Sequence, residues 1–302
     1  MNNPAPDPLA QLYAGWIATM AANPAMTLDE IRGLFEHWGD VTGEPGGIDY
    51  TEGTLGGIEG LWARPHGAAA ERTLLCFHGG GYALGSRWSH RKLYGHFSKA
   101  AGCAAFIAEY RRAPEHYHPG PVNDCTDVYA GLLAGGADPA NIAFVGDSAG
   151  GALAITTLLN ARGRGLPLPA GALAMAPYLD LEARGETYDS NAEVDVLGAR
   201  EATLQFVGVF LGPDGDRHDP LASPLYADLA GLPPIFVQTG GDDVLLDDSR
   251  SFVALAQAAG VTADLEISPG QQHVFQFLAG NSAVADAAIA RGAAWLRERL
   301  RL

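Results

Sequence analysis

A lone serine stands between glycines in Gly146-Asp-Ser-Ala-Gly150, and three glycines run together in His78-Gly-Gly-Gly-Tyr82. Both patterns suit acyl transfer. A serine hydroxyl attacks a carbonyl well only when a base takes its proton and an acid orients that base. The oxygen of the attacked carbonyl gains negative charge and needs fixed N–H donors. The glycine run can point main-chain N–H groups at such an oxygen, with the N–H of Ala149 as a further donor. A phosphate cradle is the rival use of a glycine run, but the Lys and Ser/Thr of the P-loop spacing are missing.

Nine histidines compete for the role of base. His78 belongs to the glycine run and His37 to an N-terminal helical segment, while His66, His90, His96 and His218 have no motif around them. His116 and His118 form an H-x-H pair without a third ligand nearby, so no metal is expected. His273, in Pro269-Gly-Gln-Gln-His-Val-Phe275, follows a β-like segment near the end of the chain. For the acid, Thr239-Gly-Gly-Asp-Asp-Val244 offers Asp242 and Asp243. Successive residues of an extended segment point in opposite directions, so only one of the two can face the base, and local pattern leaves both open.

These residues need a frame that brings them together. Short apolar runs at 73–77, 104–109, 142–145, 170–176 and 235–238 each end in loop signals followed by a helical stretch. Such alternation predicts βαβ units and a mainly parallel sheet covered by helices on both faces, an α/β fold. Ligands of such sheets bind beyond the carboxyl ends of the strands, which is where the motifs fall. Ser148 follows the strand at 142–145 and opens a helix at 149–161. So tight a reversal strains the serine backbone and requires small neighbours, hence Gly146 and Gly150; the pattern predicts a nucleophile elbow.

Two stretches fall outside the alternation. Residues 1–45 look helical: Thr27-Leu-Asp-Glu30 has the form of a capping box, followed by Ile31, Leu34, Phe35 and Trp38 at helical spacing. Residues from about 185 to 218 contain an amphipathic run at 199–211 that reads as an inserted helical element. A single domain spanning 1–302 is expected. Phe35, Trp38 and Tyr82 are the expected substrate-binding side chains.

With 302 residues, 47% hydrophobic content and 9% aromatics, the chain can bury a sizeable core. A formal charge of −16 disfavours nucleic acid and anionic membrane surfaces as partners. The three cysteines, Cys76, Cys103 and Cys125, cannot all pair, and buried reduced thiols are expected. The N-terminus lacks a basic segment followed by an apolar one, and no apolar run reaches membrane length, so a cytoplasmic protein without a signal peptide is expected.

In combination, the HGGGY stretch at 78–82, Tyr110-Arg-Arg-Ala-Pro-Glu115, GDSAGG at 146–151 and Asp219-Pro-Leu-Ala-Ser-Pro224 resemble, in order, the hormone-sensitive-lipase-like (family IV) esterases of the α/β-hydrolase fold. The resemblance covers nearly the whole chain and implies that residues 1–45 and about 185–218 form a helical cap over the site, expected to shape the site more than to stabilise the core. It implies a carboxylic-ester hydrolase with Ser148 as nucleophile and His273 as base. Gly80, Gly81 and Ala149 would then be the oxyanion donors, and no cofactor would be needed. The family pattern places a second acidic residue four positions after the catalytic one, which selects Asp243 through Asp247. Two departures stand out: Val244 replaces a usual proline, and His118-Pro-Gly120 replaces a commoner Phe-Pro-Ala. The DVLLDD and QQHVFQ stretches resemble a subgroup with monoterpene ε-lactone hydrolases, so the expected partner is a small-molecule ester or lactone, and a homodimer stays open. The rivals are a non-catalytic ligand-binding protein on the same scaffold, which would typically have lost a member of the triad, and an amidase or peptidase, which no sequence feature favours.

Overall fold

The structure, a computed structural model, describes residues 7–302. Two helices open it, α1 (Pro8–Ala22) and α2 (Leu28–Phe35). The Asp7 side chain accepts the Leu9 N–H at 2.8 Å, and Thr27 and Glu30 form the expected capping box. Helix α2 is shorter than its apolar spacing suggests. Residues Glu36–Val41 tighten into a 3-10 turn, so Trp38 sits on that turn and not on the α-helix.

The remaining elements follow as β1 (Ile48–Leu55), β2 (Ile58–Pro65), β3 (Ala69–Phe77), α3 (Arg91–Ala101), β4 (Cys103–Ala108), α4 (Gly120–Ala134), β5 (Ile142–Asp147) and α5 (Ala149–Gly163). Then come β6 (Gly171–Met175), α6 (Thr187–Ser190), α7 (Arg200–Leu211), β7 (Ile235–Gly240), α8 (Leu246–Ala258), β8 (Ala263–Ser268) and α9 (Ala283–Leu300). The strands form one sheet in the order β1-β2-β4-β3-β5-β6-β7-β8. The β1–β2 and β2–β4 pairs are antiparallel and the remaining pairs parallel, so the sheet is mainly parallel, as the strand–helix alternation predicts.

The apolar runs are continuous because both faces of the sheet are covered. In β5, Ile142 and Phe144 join the core under α4, α5 and α8, whereas Ala143 and Val145 join the core under α3 and α9. β3 alternates in the same way, Leu75 and Phe77 against Leu74 and Cys76. Cys76, Cys103 and Cys125 are all unpaired and buried.

The N-terminal segment corrects one expectation. Tyr13, Trp16, Phe35 and Trp38 are buried and pack ring against ring, and Trp38 also stacks on Phe277 at 5.0 Å. This cluster is continuous with the core beneath α3 and α9. Residues 7–41 therefore build core as well as wall, because a face so rich in large aromatics cannot be left exposed at small cost. Trp38→Ala is expected to lower unfolding free energy by about 3–5 kcal/mol, read from urea denaturation; a loss below about 1 kcal/mol would return the segment to a covering role alone.

Candidate active site

At the carboxyl end of β5 the chain reverses into α5 through Ser148, which has φ 53° and ψ −121°. A side-chain-bearing residue in that region costs about 1–3 kcal/mol, so its surroundings must impose it. They do so by contact. A Cβ on Gly146 would lie 2.0 Å from the Gly150 carbonyl oxygen, and one on Gly150 would lie 1.9 Å from that of Phe77. The Ser148 N–H donates to Met175 O at 2.8 Å, and its carbonyl accepts from Tyr178 N at 3.1 Å. This locks the turn to β6 and leaves the hydroxyl facing a pocket.

The glycine run crosses the end of β3 beside this turn. Gly80 and Gly81 have φ of +110° and +58°, and no described main-chain hydrogen bond uses either N–H. The Ala149 N–H, in the first turn of α5, likewise has no helical acceptor. Gly80 and Gly81 border the pocket at the serine, and Ala149 follows the serine at the positive end of α5.

What ties the glycine run to the elbow is Asp147, buried between them. Its Oδ1 accepts from Gly79 N at 3.2 Å and from the Tyr94 hydroxyl, and its Oδ2 lies 3.2 Å from His90 Nε2. A Cβ on Gly79 would stand 2.4 Å from the Asp147 carboxylate. Sequence reasoning passed over His90 and Tyr94, which have no local motif. Only Asp147, inside the serine motif, carried any signal.

His273 enters from the loop after β8. Its Nδ1 lies 2.9 Å from Asp243 Oδ2, and both side chains are buried. Asp243 Oδ1 accepts from Leu245 N at 2.8 Å, while half-buried Asp242 has no side chain contact in the described hydrogen bonds or ion pairs. Of the two adjacent acids, Asp243 is the one that reaches the imidazole. Burial alone would push the His273 pKa down. The charge and hydrogen bond of Asp243, with Asp195 and Asp147 farther off, outweigh it and hold the ring above its ordinary value. Helix α1 supports His273 from behind: the Tyr13 hydroxyl donates to His273 O and accepts from Trp38 Nε1, both at 3.0 Å.

Ser148, Asp243 and His273 border one cavity of about 540 Å³ with Gly80 and Gly81. Its walls are apolar, from Ile17 and Met20 of α1, Ile31 and Phe35 of α2, Trp38, and Leu197 and Phe206 near and on α7. Phe35 and Trp38, two of the expected substrate-binding side chains, line this cavity. Tyr82 does not: it is buried behind the wall, stacked on Phe210 at 3.6 Å, because its φ of 63° turns the side chain into the core. His118 pairs with Asp219 at 3.0 Å, and among the described residues no group of three or more His, Cys, Asp or Glu is placed to hold a metal ion.

The elbow's tolerance is testable in α5 itself. Gly150→Ala would meet a main-chain carbonyl, and a loss of about 3 kcal/mol or more is expected. Gly163→Ala, with nothing within 4 Å, should be neutral or stabilising. Denaturation curves of the two variants give the comparison, and equal effects would contradict the steric account.

A family model described as an alpha/beta hydrolase fold matches residues 74–277. The chain is 38% identical to an acetyl-hydrolase of Streptomyces hygroscopicus over 224 residues, 74% of each chain. It is 35% identical to an esterase of Acinetobacter venetianus over 222 residues, covering 74% of this chain and 73% of that one. Among solved structures, an esterase from the bacterial hormone-sensitive lipase family superposes with a TM-score of 0.92 at 40% identity, over 98% of this chain and 99% of the other. The chain belongs to the α/β-hydrolase family, in its hormone-sensitive-lipase-like branch. No helix among the described residues is long and apolar enough to cross a membrane.

Proposed function

We propose that this carboxylesterase works through an acyl-enzyme on Ser148, with His273 as base, Asp243 as its orienting acid, and the N–H groups of Gly80, Gly81 and Ala149 as oxyanion donors. The observation that supports it is the Asp243–His273 pair, 2.9 Å apart, facing the same cavity as a serine held in a strained elbow. His273 takes the serine proton as Oγ attacks the ester carbonyl. The tetrahedral oxyanion collapses, the alcohol leaves with that proton, and an acyl-serine remains. Water, deprotonated by the same imidazole, attacks the acyl carbon and releases the acid and the free serine.

Residues 1–45 and about 185–218 act as the cap; those before Asp7 lie outside the described residues. Their apolar side chains line a cavity of about 540 Å³, a size that suits one small molecule and not a long extended lipid. Short- to medium-chain esters are the substrate class. A lactone would be opened by the same steps, its alcohol staying attached to the acyl group, and the DVLLDD and QQHVFQ stretches support that reading second. The unpaired thiols support a cytoplasmic setting.

Turnover of p-nitrophenyl esters should peak below about eight acyl carbons, and a lactone panel run beside it ranks the two classes. Preference for emulsified long-chain lipid would overturn the assignment. Asp243→Asn is expected to cost about 10⁴-fold in kcat and Asp242→Asn less than about tenfold. Organophosphate labelling should fall on Ser148, and the reverse ranking of the two aspartates would reject Asp243.

A further inference from the structure

Asp195 belongs to the inserted segment, far from the motifs, and is buried at 6% exposure. Its Oδ2 accepts the Val244 N–H at 2.8 Å, the main-chain donor next to Asp243. Its Oδ1 accepts the N–H groups of Leu197 at 3.0 Å and Gly198 at 2.7 Å, and both of those residues line the cavity. Around it the segment is stitched to the loops of the acid and the base. Asn191 Nδ2 donates to Gly241 O at 3.0 Å and Asp243 O at 2.9 Å, and Thr187 Oγ1 donates to Val244 O at 2.8 Å. Beside His273, Gln272 donates to Val194 O at 2.8 Å and accepts from Val196 N at 2.9 Å.

We propose that Asp195 is a positioning residue for ester hydrolysis: it clamps the Val244 N–H so that Asp243 stays turned toward His273, and it sets a second carboxylate beside that pair. The inference rests on the triad reading above. A turn cap alone would not require a charge, since the amide oxygen of an asparagine also accepts turn N–H groups. Here three main-chain donors converge on one buried carboxylate, a number suited to an anion. Holding that anion is costly: burial, then repulsion from Asp243, push the Asp195 pKa up, against the pull of His273 and the N–H donors at Val244 and Gly198. The return is felt at the imidazole. Asp243 bonds the His273 ring, the Tyr13 hydroxyl bonds its carbonyl, and the charges of Asp195 and Asp147 act on it from farther off. Asp195 is therefore one of the charges that favour the imidazolium formed when serine attacks.

The test is Asp195→Asn, which keeps the size and removes the charge, assayed on p-nitrophenyl butyrate across pH. A neutral imidazole is the active base, so activity falls below its pKa. Removing a carboxylate that raises this pKa should move the acid limb of kcat/KM to lower pH. We expect kcat to fall about tenfold or more with KM within about threefold, because a displaced acid misorients the base without touching the substrate. Val244→Pro removes the N–H, together with the valine side chain and the freedom of φ, and leaves the carboxylate, so kcat should fall with the acid limb unmoved. An unshifted limb in folded Asp195→Asn, a change confined to KM, or loss of the fold in both variants would overturn the inference and make Asp195 a lining or core residue. Wild-type enzyme labelled by organophosphate at Ser148 keeps the triad reading intact in each of those cases. Failure of that labelling sinks both.

Discussion

Everything at the site depends on one steric constraint, the reversal of the chain at Ser148 between a buried strand and a buried helix. Gly146 and Gly150 approach backbone carbonyls so closely that no side chain fits at either position. In return, the hydroxyl stands at the amino end of α5, facing the cavity with the glycine run beside it. The strain is sustained by the sheet: β5 is central, flanked by β3 and β6, and the serine N–H is bonded across to β6. A turn of this kind on an edge strand could relax; between two paired neighbours it cannot.

The second organising feature is electrostatic. Asp147, Asp195 and Asp243 are all buried and their charges all act on the His273 imidazole, in a chain whose formal charge is −16. Each is satisfied by main-chain N–H groups: Gly79 on Asp147, Val244, Leu197 and Gly198 on Asp195, Leu245 on Asp243. Fixed backbone dipoles replace the water these carboxylates would otherwise hold, and they need no reorganisation when positive charge appears on the ring. The same arrangement couples the loops. The glycine run is anchored through Asp147, the acid loop through Asp195, and the base loop through Gln272 and Tyr13.

The segments outside the sheet are therefore not separable from it. The N-terminal aromatics fill core space and also support the base, since the Trp38 indole bonds the Tyr13 hydroxyl that holds the His273 carbonyl. The inserted segment walls the cavity with Leu197 and α7 while its polar side chains reach into the acid loop. The wall of the cavity and the loops of Asp243 and His273 are thereby tied to one segment.

By itself the sequence determined what local chemistry can express. The continuous apolar runs mark strands covered on both faces. The glycine spacing around residue 148 admits one kind of turn, and the capping box at Thr27 starts a helix, because each depends only on neighbours along the chain. The choice between Asp242 and Asp243 was legible only with a family pattern in hand, since on an extended segment the two differ by which face they meet. Only the tertiary structure decided the rest. Tyr82 turns into the core because of its backbone φ, and Trp38 falls on a 3-10 turn, where a helical spacing rule does not apply. His90, Tyr94 and Asp195 acquire roles from residues 57, 53 and 49 positions away, at Asp147 and Val244. No periodicity encodes such contacts, because a buried carboxylate finds its donors through the packing of the whole sheet and not through the order of the residues beside it.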